Sequence, residues 1–155
     1  MIKKFKLNNN SKVLDVGCGK GFLLYEMKKL LPGLKISGFD ISRHGIRNSK
    51  KEIRKSLFIH DARKKFPFKK NSFNLVMTFA CLHNFKIQDL IYSLSEIERV
   101  GKKKYVMVEG YRNERELFNL QCWALTAEAF FDPKEWMWIF KQSGYKGHYE
   151  FIYFE

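Results

Sequence analysis

Short apolar runs alternate along most of the chain with stretches in which apolar residues recur three and four positions apart. The apolar runs predict strands at 12–16, 34–39, 57–60, 73–80 and 103–109. The stretches with helical spacing predict helices at 22–31, 43–55, 87–100, 113–125 and 132–143. Strands that alternate with helices favour an α/β fold built on a doubly wound, mainly parallel sheet.

The chain ends in an aromatic run, His148 to Glu155, which predicts one long final strand or a shortened pair of strands. No linker, repeat or low-complexity tract divides the sequence, so residues 1–155 are expected to form a single domain. No segment reaches the roughly 18 consecutive apolar residues of a membrane-spanning helix. Met1 to Lys6 also lacks the apolar stretch of a secretory signal, and the expected location is the cytoplasm.

The cysteines and the net charge indicate which metal, disulfide and nucleic-acid functions the sequence favours. The three cysteines are far apart and show no C-x-x-C spacing, which favours reduced thiols over a disulfide framework or a metal site. The net charge of +13 comes from 22 Lys and 7 Arg, mostly in pairs spread along the sequence. Because Arg, the residue suited to bidentate phosphate contacts, is scarce, the pattern favours a solvated basic surface, with a nucleic-acid partner as the alternative.

Three glycines follow the first predicted strand at alternate positions, Gly17, Gly19 and Gly21, before helical spacing resumes at Phe22. Glycine allows a sharp turn with positive φ and lets a ligand lie against the backbone. At the carboxyl end of a parallel strand this predicts a ligand pocket, and a simple turn is the alternative. The spacing fits neither the dinucleotide fingerprint, which wants glycine at Phe22, nor the phosphate-binding P-loop.

Carboxylates follow the next strands. Asp40 ends the second strand 23 residues after Gly17, where a carboxylate is placed to accept ribose hydroxyl protons, although it would also serve as a helix-capping residue. Asp61 follows the third strand and has an exposed loop aspartate as its alternative reading. Because carboxyl ends of parallel strands share one edge, these residues and the glycine turn are expected to line one crevice.

An acidic residue followed by G-x-G-x-G, here Asp15 to Gly21, closely resembles motif I of the class I S-adenosylmethionine-dependent methyltransferases. The resemblance covers about Lys12 to Tyr111. It implies a Rossmann-like sheet of order 3-2-1-4-5 plus one or two C-terminal strands, helices on both faces, and S-adenosyl-L-methionine as the cofactor. It places Asp61 and the backbone N–H of Ala62 at the adenine. The residues that it assigns to the cofactor are Asp15, Gly17, Cys18, Gly19, Gly21, Asp40, Ile41, Asp61, Ala62, Phe79, Ala80 and Leu82.

The chain also departs from the resembling family. Family members usually carry N-terminal helices that cover the cofactor, whereas residues 1–11 are short and polar, so a homo-oligomer is one expected source of cover. Their usual antiparallel final pair is in doubt, because no clear hairpin turn follows Gly147. The absence of an [N/D]-P-P-[Y/F] motif after the fourth strand argues against methylation of base or glutamine amines. Cys81 without an adjacent proline does not match the RNA cytosine C5 enzymes and is interpreted as a small buried residue.

His83 is the first candidate for a general base, since it follows the fourth strand and an imidazole has an unperturbed pKa of about 6.5. Glu109 and Tyr111 are second candidates, and a purely structural role for His83 is the alternative. No metal is required and no metal-ligand cluster is visible. The aromatic residues of the last third are interpreted as core, with an acceptor-pocket wall as the alternative; they are Trp123, Phe130, Phe131, Trp136 and Trp138.

The sequence thus predicts a methyltransferase that acts on an oxygen or nitrogen atom of a small-molecule acceptor. One alternative is a methyltransferase of RNA, which the basic charge favours. The other is a non-catalytic cofactor-binding module that needs a partner.

Overall fold

A computed structural model describes all residues, 1–155, and shows one six-stranded sheet of order β3-β2-β1-β4-β5-β6. Every neighbouring pair of strands is parallel. The α/β class and the predicted order 3-2-1-4-5 are confirmed, with one C-terminal strand added. The strands are β1 Lys12–Val16, β2 Lys35–Asp40, β3 Leu57–Ile59, β4 Phe73–Phe79, β5 Gly101–Glu109 and β6 His148–Ile152.

Helices connect successive strands. They are α1 Phe22–Leu30, α2 Arg43–Arg47, α3 Lys51–Arg54, α4 Ile87–Val100, α5 Glu114–Trp123 and α6 Pro133–Gln142, with a short 3-10 turn at Leu82–Asn84. The single helix predicted at 43–55 is wrong, because the chain breaks between α2 and α3. At the break Asn48 Nδ2 donates to the His44 carbonyl and Ser49 Oγ donates to the Ile46 carbonyl. Such side chains compete with the backbone for hydrogen bonds and end a helix.

Successive side chains of the strands pack into two separate hydrophobic cores, one on each face of the sheet. Leu14 packs with Leu94 and Trp136 on the face covered by α4 and α6. Val13, the neighbouring residue of β1, packs with Leu24 of α1 on the opposite face. This two-sided burial explains why the strands read as apolar runs without strict alternation.

The final strand differs from the antiparallel pair that is usual in the resembling family. Strand β6 lies parallel to β5, with Tyr105 opposite His148 and Glu109 opposite Ile152. A parallel neighbour requires a long crossover rather than a hairpin, and α5 and α6 supply it. The strand ends at Ile152, so the single long strand predicted to Glu155 is too long. The last residues pack against α5 instead, where Asn119 Nδ2 donates to the Phe154 carbonyl.

An ion pair between the buried Glu96 and the half-buried Arg99 holds the loop between β3 and β4 against α4. Glu96 Oε2 accepts a hydrogen bond from the Phe66 N–H at 2.7 Å and pairs with Arg99. Arg99 in turn donates to the carbonyls of Phe66 and Phe68. These contacts satisfy the loop backbone and hold the segment that follows Asp61 at the edge of the sheet.

The longest helix, α4, has 14 residues, and no helix combines the length and apolarity needed to cross a bilayer.

The two hydrophobic cores predict that truncating two different leucines lowers the free energy of unfolding by unequal amounts. Leu94 is fully buried in α4, whereas Leu30 at the end of α1 is 72% exposed. Leu94→Ala should lower the free energy of unfolding by about 2–5 kcal/mol. The matched change Leu30→Ala should stay within about 0.5 kcal/mol. Urea unfolding measures both, and equal costs would contradict the placement of α4 against the sheet.

Candidate functional site

The glycine turn after β1 is held to both neighbouring strands. The N–H groups of Gly17 and Cys18 donate to the Phe39 carbonyl at 2.9 and 3.0 Å. Gly17 has φ 74°, and a Cβ there would collide with the Cys81 side chain beyond β4. Only glycine therefore fits this position, both by backbone conformation and by space.

Asp40 joins the turn to the second strand. Its Oδ2 accepts a hydrogen bond from the Gly19 N–H at 2.7 Å, and its Oδ1 accepts one from the Ser42 N–H at 2.7 Å. Ser42, not Asp40, caps α2, since its Oγ accepts from the Gly45 N–H. The carboxylate is thus fixed in one orientation at the carboxyl edge of the sheet.

A cleft of about 380 Å³ opens at this edge, a volume within the range of small-ligand sites. Half of the residues predicted to bind the cofactor line it: Gly17, Asp40, Ile41, Asp61, Ala62 and Ala80. The lining residues that sequence reasoning missed are Phe39, His60, Arg63, Cys81, Asn84 and Phe85. All but Phe85 adjoin a residue that was predicted to bind the cofactor or to act as the base, so proximity to those residues along the chain was the available signal.

The other six residues that were predicted to bind the cofactor do not line the cleft: Asp15, Cys18, Gly19, Gly21, Phe79 and Leu82. Leu82 is 1% exposed and belongs to the core. A Cβ at Gly21 would collide with Leu57 and Ile53, so this glycine serves the packing of the turn. Phe79 packs against Tyr105. The motif therefore contains residues that shape the turn as well as residues that face the cleft.

Asp15 is a buried carboxyl beneath the turn, 5% exposed. Burial, and secondly the nearby Asp40 carboxylate, raise its pKa to about 8. A cation in the cleft would lower that pKa by favouring the ionised form. Burial likewise raises the pKa of the Cys81 thiol to about 12 and raises that of Cys18, so both cysteines are protonated and unreactive at neutral pH.

Arg63 covers the predicted adenine-facing carboxylate. Its guanidinium pairs with Asp61 through Nε at 2.9 Å and Nη2 at 2.8 Å. The side-chain hydrogen bond from Arg63 lowers the pKa of Asp61. Asp61 is therefore not simply an exposed loop residue. It is half-buried, lines the cleft and is paired with its neighbour Arg63.

Ala80 lines the cleft with φ 47°, a left-handed conformation that costs a non-glycine residue about 1 kcal/mol or more. The conformation turns the chain sharply from the end of β4 into the 3-10 turn. Nothing in the sequence indicates it, since alanine gives no signal for positive φ.

His83 and Glu109 form a buried pair. His83 Nδ1 lies 2.8 Å from Glu109 Oε2, and the two residues are 7% and 3% exposed. The other carboxylate oxygen, Glu109 Oε1, is buried without a hydrogen-bond partner. Trp136 Nε1 donates to the Glu109 carbonyl at 2.9 Å and fixes the end of β5.

Tyr111, the third candidate, is not joined to this pair. Its pKa is raised by partial burial and by the carboxylates of Glu135 and Asp132 at the start of α6. The structure thus brings together two of the three predicted catalytic residues.

The aromatic residues divide between core and site. Trp136 is fully buried, as the core interpretation expects, whereas Trp138 is 51% exposed. Trp123 is also 51% exposed and packs edge-on against His83, with ring centroids 5.8 Å apart. It also packs against the ring of Phe154 at a tilt of 35°. Trp123 therefore covers the imidazole. Phe130 and Phe131 are half-buried.

No group of three or more His, Cys, Asp or Glu side chains is arranged to hold a metal ion.

The buried carboxyl of Asp15 predicts a pH-dependent stability. The unfolded chain loses this proton near pH 4, whereas the folded protein keeps it until about pH 8, so stability falls as pH rises between these values. Asp15→Asn removes the ionisation while keeping the shape. The free energy of unfolding of the variant minus that of wild type should increase by about 1–3 kcal/mol between pH 5 and pH 8. Urea titrations of the ligand-free proteins measure this, and a pH-independent difference would contradict the buried acid.

Comparison with known proteins identifies the family. Residues 7–144 match the family described as "Methyltransferase domain". The mouse protein "Arginine-hydroxylase NDUFAF5, mitochondrial" is 32% identical over 115 residues, which are 74% of this chain and 33% of the mouse protein. The "Demethylmenaquinone methyltransferase" of Chlorobaculum tepidum is 32% identical over 100 residues, which are 64% of this chain and 40% of that enzyme. The chain thus spans a third to two fifths of these relatives.

The fold is shared with solved structures. The methyltransferase in the "Complex between the Haloferax volcanii Trm112 methyltransferase activator and the putative methyltransferase" superposes with a TM-score of 0.76 at 20% identity, over 92% of this chain and 65% of the other. With the glycine turn, the fixed Asp40 and the family match in agreement, the chain belongs to the methyltransferase-domain family, whose cofactor is S-adenosyl-L-methionine.

Proposed function

We propose that this protein transfers a methyl group from S-adenosylmethionine to an oxygen or nitrogen atom of a small-molecule acceptor, with His83 as the base. The observation that carries the proposal is the His83–Glu109 pair at 2.8 Å, built from the ends of β4 and β5. The expected setting is the cytoplasm. A partner subunit that completes the site belongs to the same proposal.

The residues present fit the cofactor. A turn whose Gly17 has no room for a Cβ allows close approach of a ligand to the backbone. Two carboxyls, Asp15 and Asp40, lie beside or beneath the cleft, and S-adenosylmethionine carries positive charge on its sulfonium and amino groups. We assign the ribose hydroxyls to Asp40 and the adenine to the wall that holds Asp61 and Ala62. Asp15 supplies negative charge from below.

When bound, S-adenosylmethionine would supply an activated methyl group, whose carbon–sulfur bond would break as the bond to the acceptor atom forms. The protein aligns the acceptor with that group, an effect worth up to roughly 7–11 kcal/mol. With Glu109 ionised, His83 Nδ1 donates to it and Nε2 keeps its lone pair to accept the acceptor proton. Because Trp123 covers the ring, we expect this side chain to turn aside as the acceptor enters.

Removing the Asp40 carboxylate tests the cofactor site. Asp40→Ala should weaken S-adenosylmethionine binding at least about tenfold, equivalent to 1.4 kcal/mol, because the ribose partner and the bond to Gly19 are both lost. Isothermal calorimetry measures the affinity. Glu52→Ala is the matched control, since it removes an exposed carboxylate of α3 outside the cleft. Equal affinities of the two variants would contradict the assignment.

Replacing His83 tests the base. His83→Ala should lower kcat about 100-fold or more and leave cofactor affinity within threefold, because general-base catalysis typically contributes 10²–10⁴-fold. Formation of S-adenosylhomocysteine with a panel of small phenols, alcohols and amines measures turnover.

Glu109→Gln distinguishes positioning from simple packing. The amide keeps the shape of Glu109 but removes the charged acceptor that orients His83 Nδ1, so kcat should fall while cofactor affinity stays within threefold. Undiminished turnover of His83→Ala would exclude the base. Turnover with RNA but with no member of the panel would favour the RNA alternative.

A further inference from the structure

The positive charge of the protein is concentrated in one segment. Residues 41–72 hold eleven Lys and Arg against only two carboxylates, a net +9 of the total +13. Four of the seven arginines lie here. We call these eleven cations the basic rim: Arg43, Arg47, Lys50, Lys51, Arg54, Lys55, Arg63, Lys64, Lys65, Lys69 and Lys70. Pairs that seem scattered along the sequence are therefore gathered around one part of the fold.

The basic rim is exposed and almost entirely unpaired. All eleven side chains belong to exposed residues, and only Arg63 forms an ion pair, with Asp61. The other ion pairs of lysine or arginine lie elsewhere, for example Lys4 with Glu150 and Lys104 with Glu98. Unpaired like charges at this density repel one another, and an anionic partner would remove that cost.

The rim flanks both sides of the sheet edge. Strand β3 is the edge strand. Residues 43–55 cover it on the face where Ile46 and Ile53 join the core with α1, whereas residues 63–70 lie on the face where Phe66 joins the core with α4. Both flanks lie near the cleft, because its lining includes Arg63 of the second flank and Ile41, two residues before the first flank begins.

We infer that the basic rim binds the phosphate backbone of a single-stranded nucleic acid, which passes around the β3 edge beside the cleft. A flexible polyanion follows both flanks, whereas a flat bilayer or a rigid duplex meets one flank at a time. Arginine offers phosphates a planar, bidentate donor. The exposed imidazole of His44 lies among the cations and offers a face on which a base stacks, whereas Phe58 and Phe68 are half-buried against the core. This inference does not depend on the acceptor proposed above.

Fluorescence anisotropy with labelled single-stranded RNA and DNA 15-mers, without cofactor, tests the rim. The rim variant carries Lys51→Gln, Lys55→Gln, Lys65→Gln and Lys69→Gln. The control variant carries Lys12→Gln, Lys35→Gln, Lys102→Gln and Lys141→Gln, which are exposed, unpaired and outside the segment. Both variants change the net charge equally. Circular dichroism and S-adenosylmethionine affinity, expected to match wild type in both, show that the fold and the cleft are intact.

We expect wild type to bind at 50 mM salt and to lose affinity as salt rises, by about 0.7 log units per log unit of salt for each phosphate contact. The rim variant should bind at least tenfold more weakly, with a slope smaller by roughly 3, and the control should stay within threefold. A preference for the RNA or for the DNA 15-mer would show which kind of nucleic acid the basic rim binds. Absence of binding, equal losses in both variants, or stronger rim-dependent binding to phosphatidylglycerol vesicles or polyglutamate would overturn the inference.

Discussion

The turn that leaves β1 ties three strands together, and the site exists because that turn is so tight. Gly17 and Cys18 donate to the Phe39 carbonyl of β2, Gly17 packs against Cys81 beyond β4, and Gly19 donates to Asp40. Any Cβ at Gly17 would separate these strand ends. The same contacts leave the cleft open above the turn and put a carboxylate at its wall, so the constraint on the backbone and the capacity to bind a ligand have one origin.

Much of this arrangement was predictable, because it depends on local chemistry. Apolar runs predicted the first five strands, the resemblance to the methyltransferase family implied their order, and strand ends placed Asp40 and Asp61 at one edge. Two features depend on tertiary contacts and were not predictable: the positive φ of Ala80 and the parallel pairing of β6 with β5. The pairing of Arg63 with Asp61 is local, but the apolar pattern gives no signal for it. The break after α2 arises from competing side-chain hydrogen bonds that periodicity does not register.

Charge is divided between the inside and the outside of the cleft. Carboxyls lie at the cleft wall and beneath the glycine turn, where burial and repulsion from Asp40 raise the pKa of Asp15 to about 8. Cations surround the cleft in the basic rim, and of these Arg63 also lines it. The net charge alone conceals this division, since it averages an acidic interior and a basic edge. A cationic cofactor and an anionic partner would therefore be attracted to adjoining parts of one surface.

The most direct test of the account is calorimetric titration of the protein with S-adenosylmethionine at pH 7 in two buffers of different ionisation enthalpy, with NAD as the comparison ligand. S-adenosylmethionine should bind with release of a measurable fraction of a proton, because the positive ligand lowers the pKa of Asp15, and NAD should produce no binding heat. Binding of NAD in its place, or binding of S-adenosylmethionine without proton release, would contradict it.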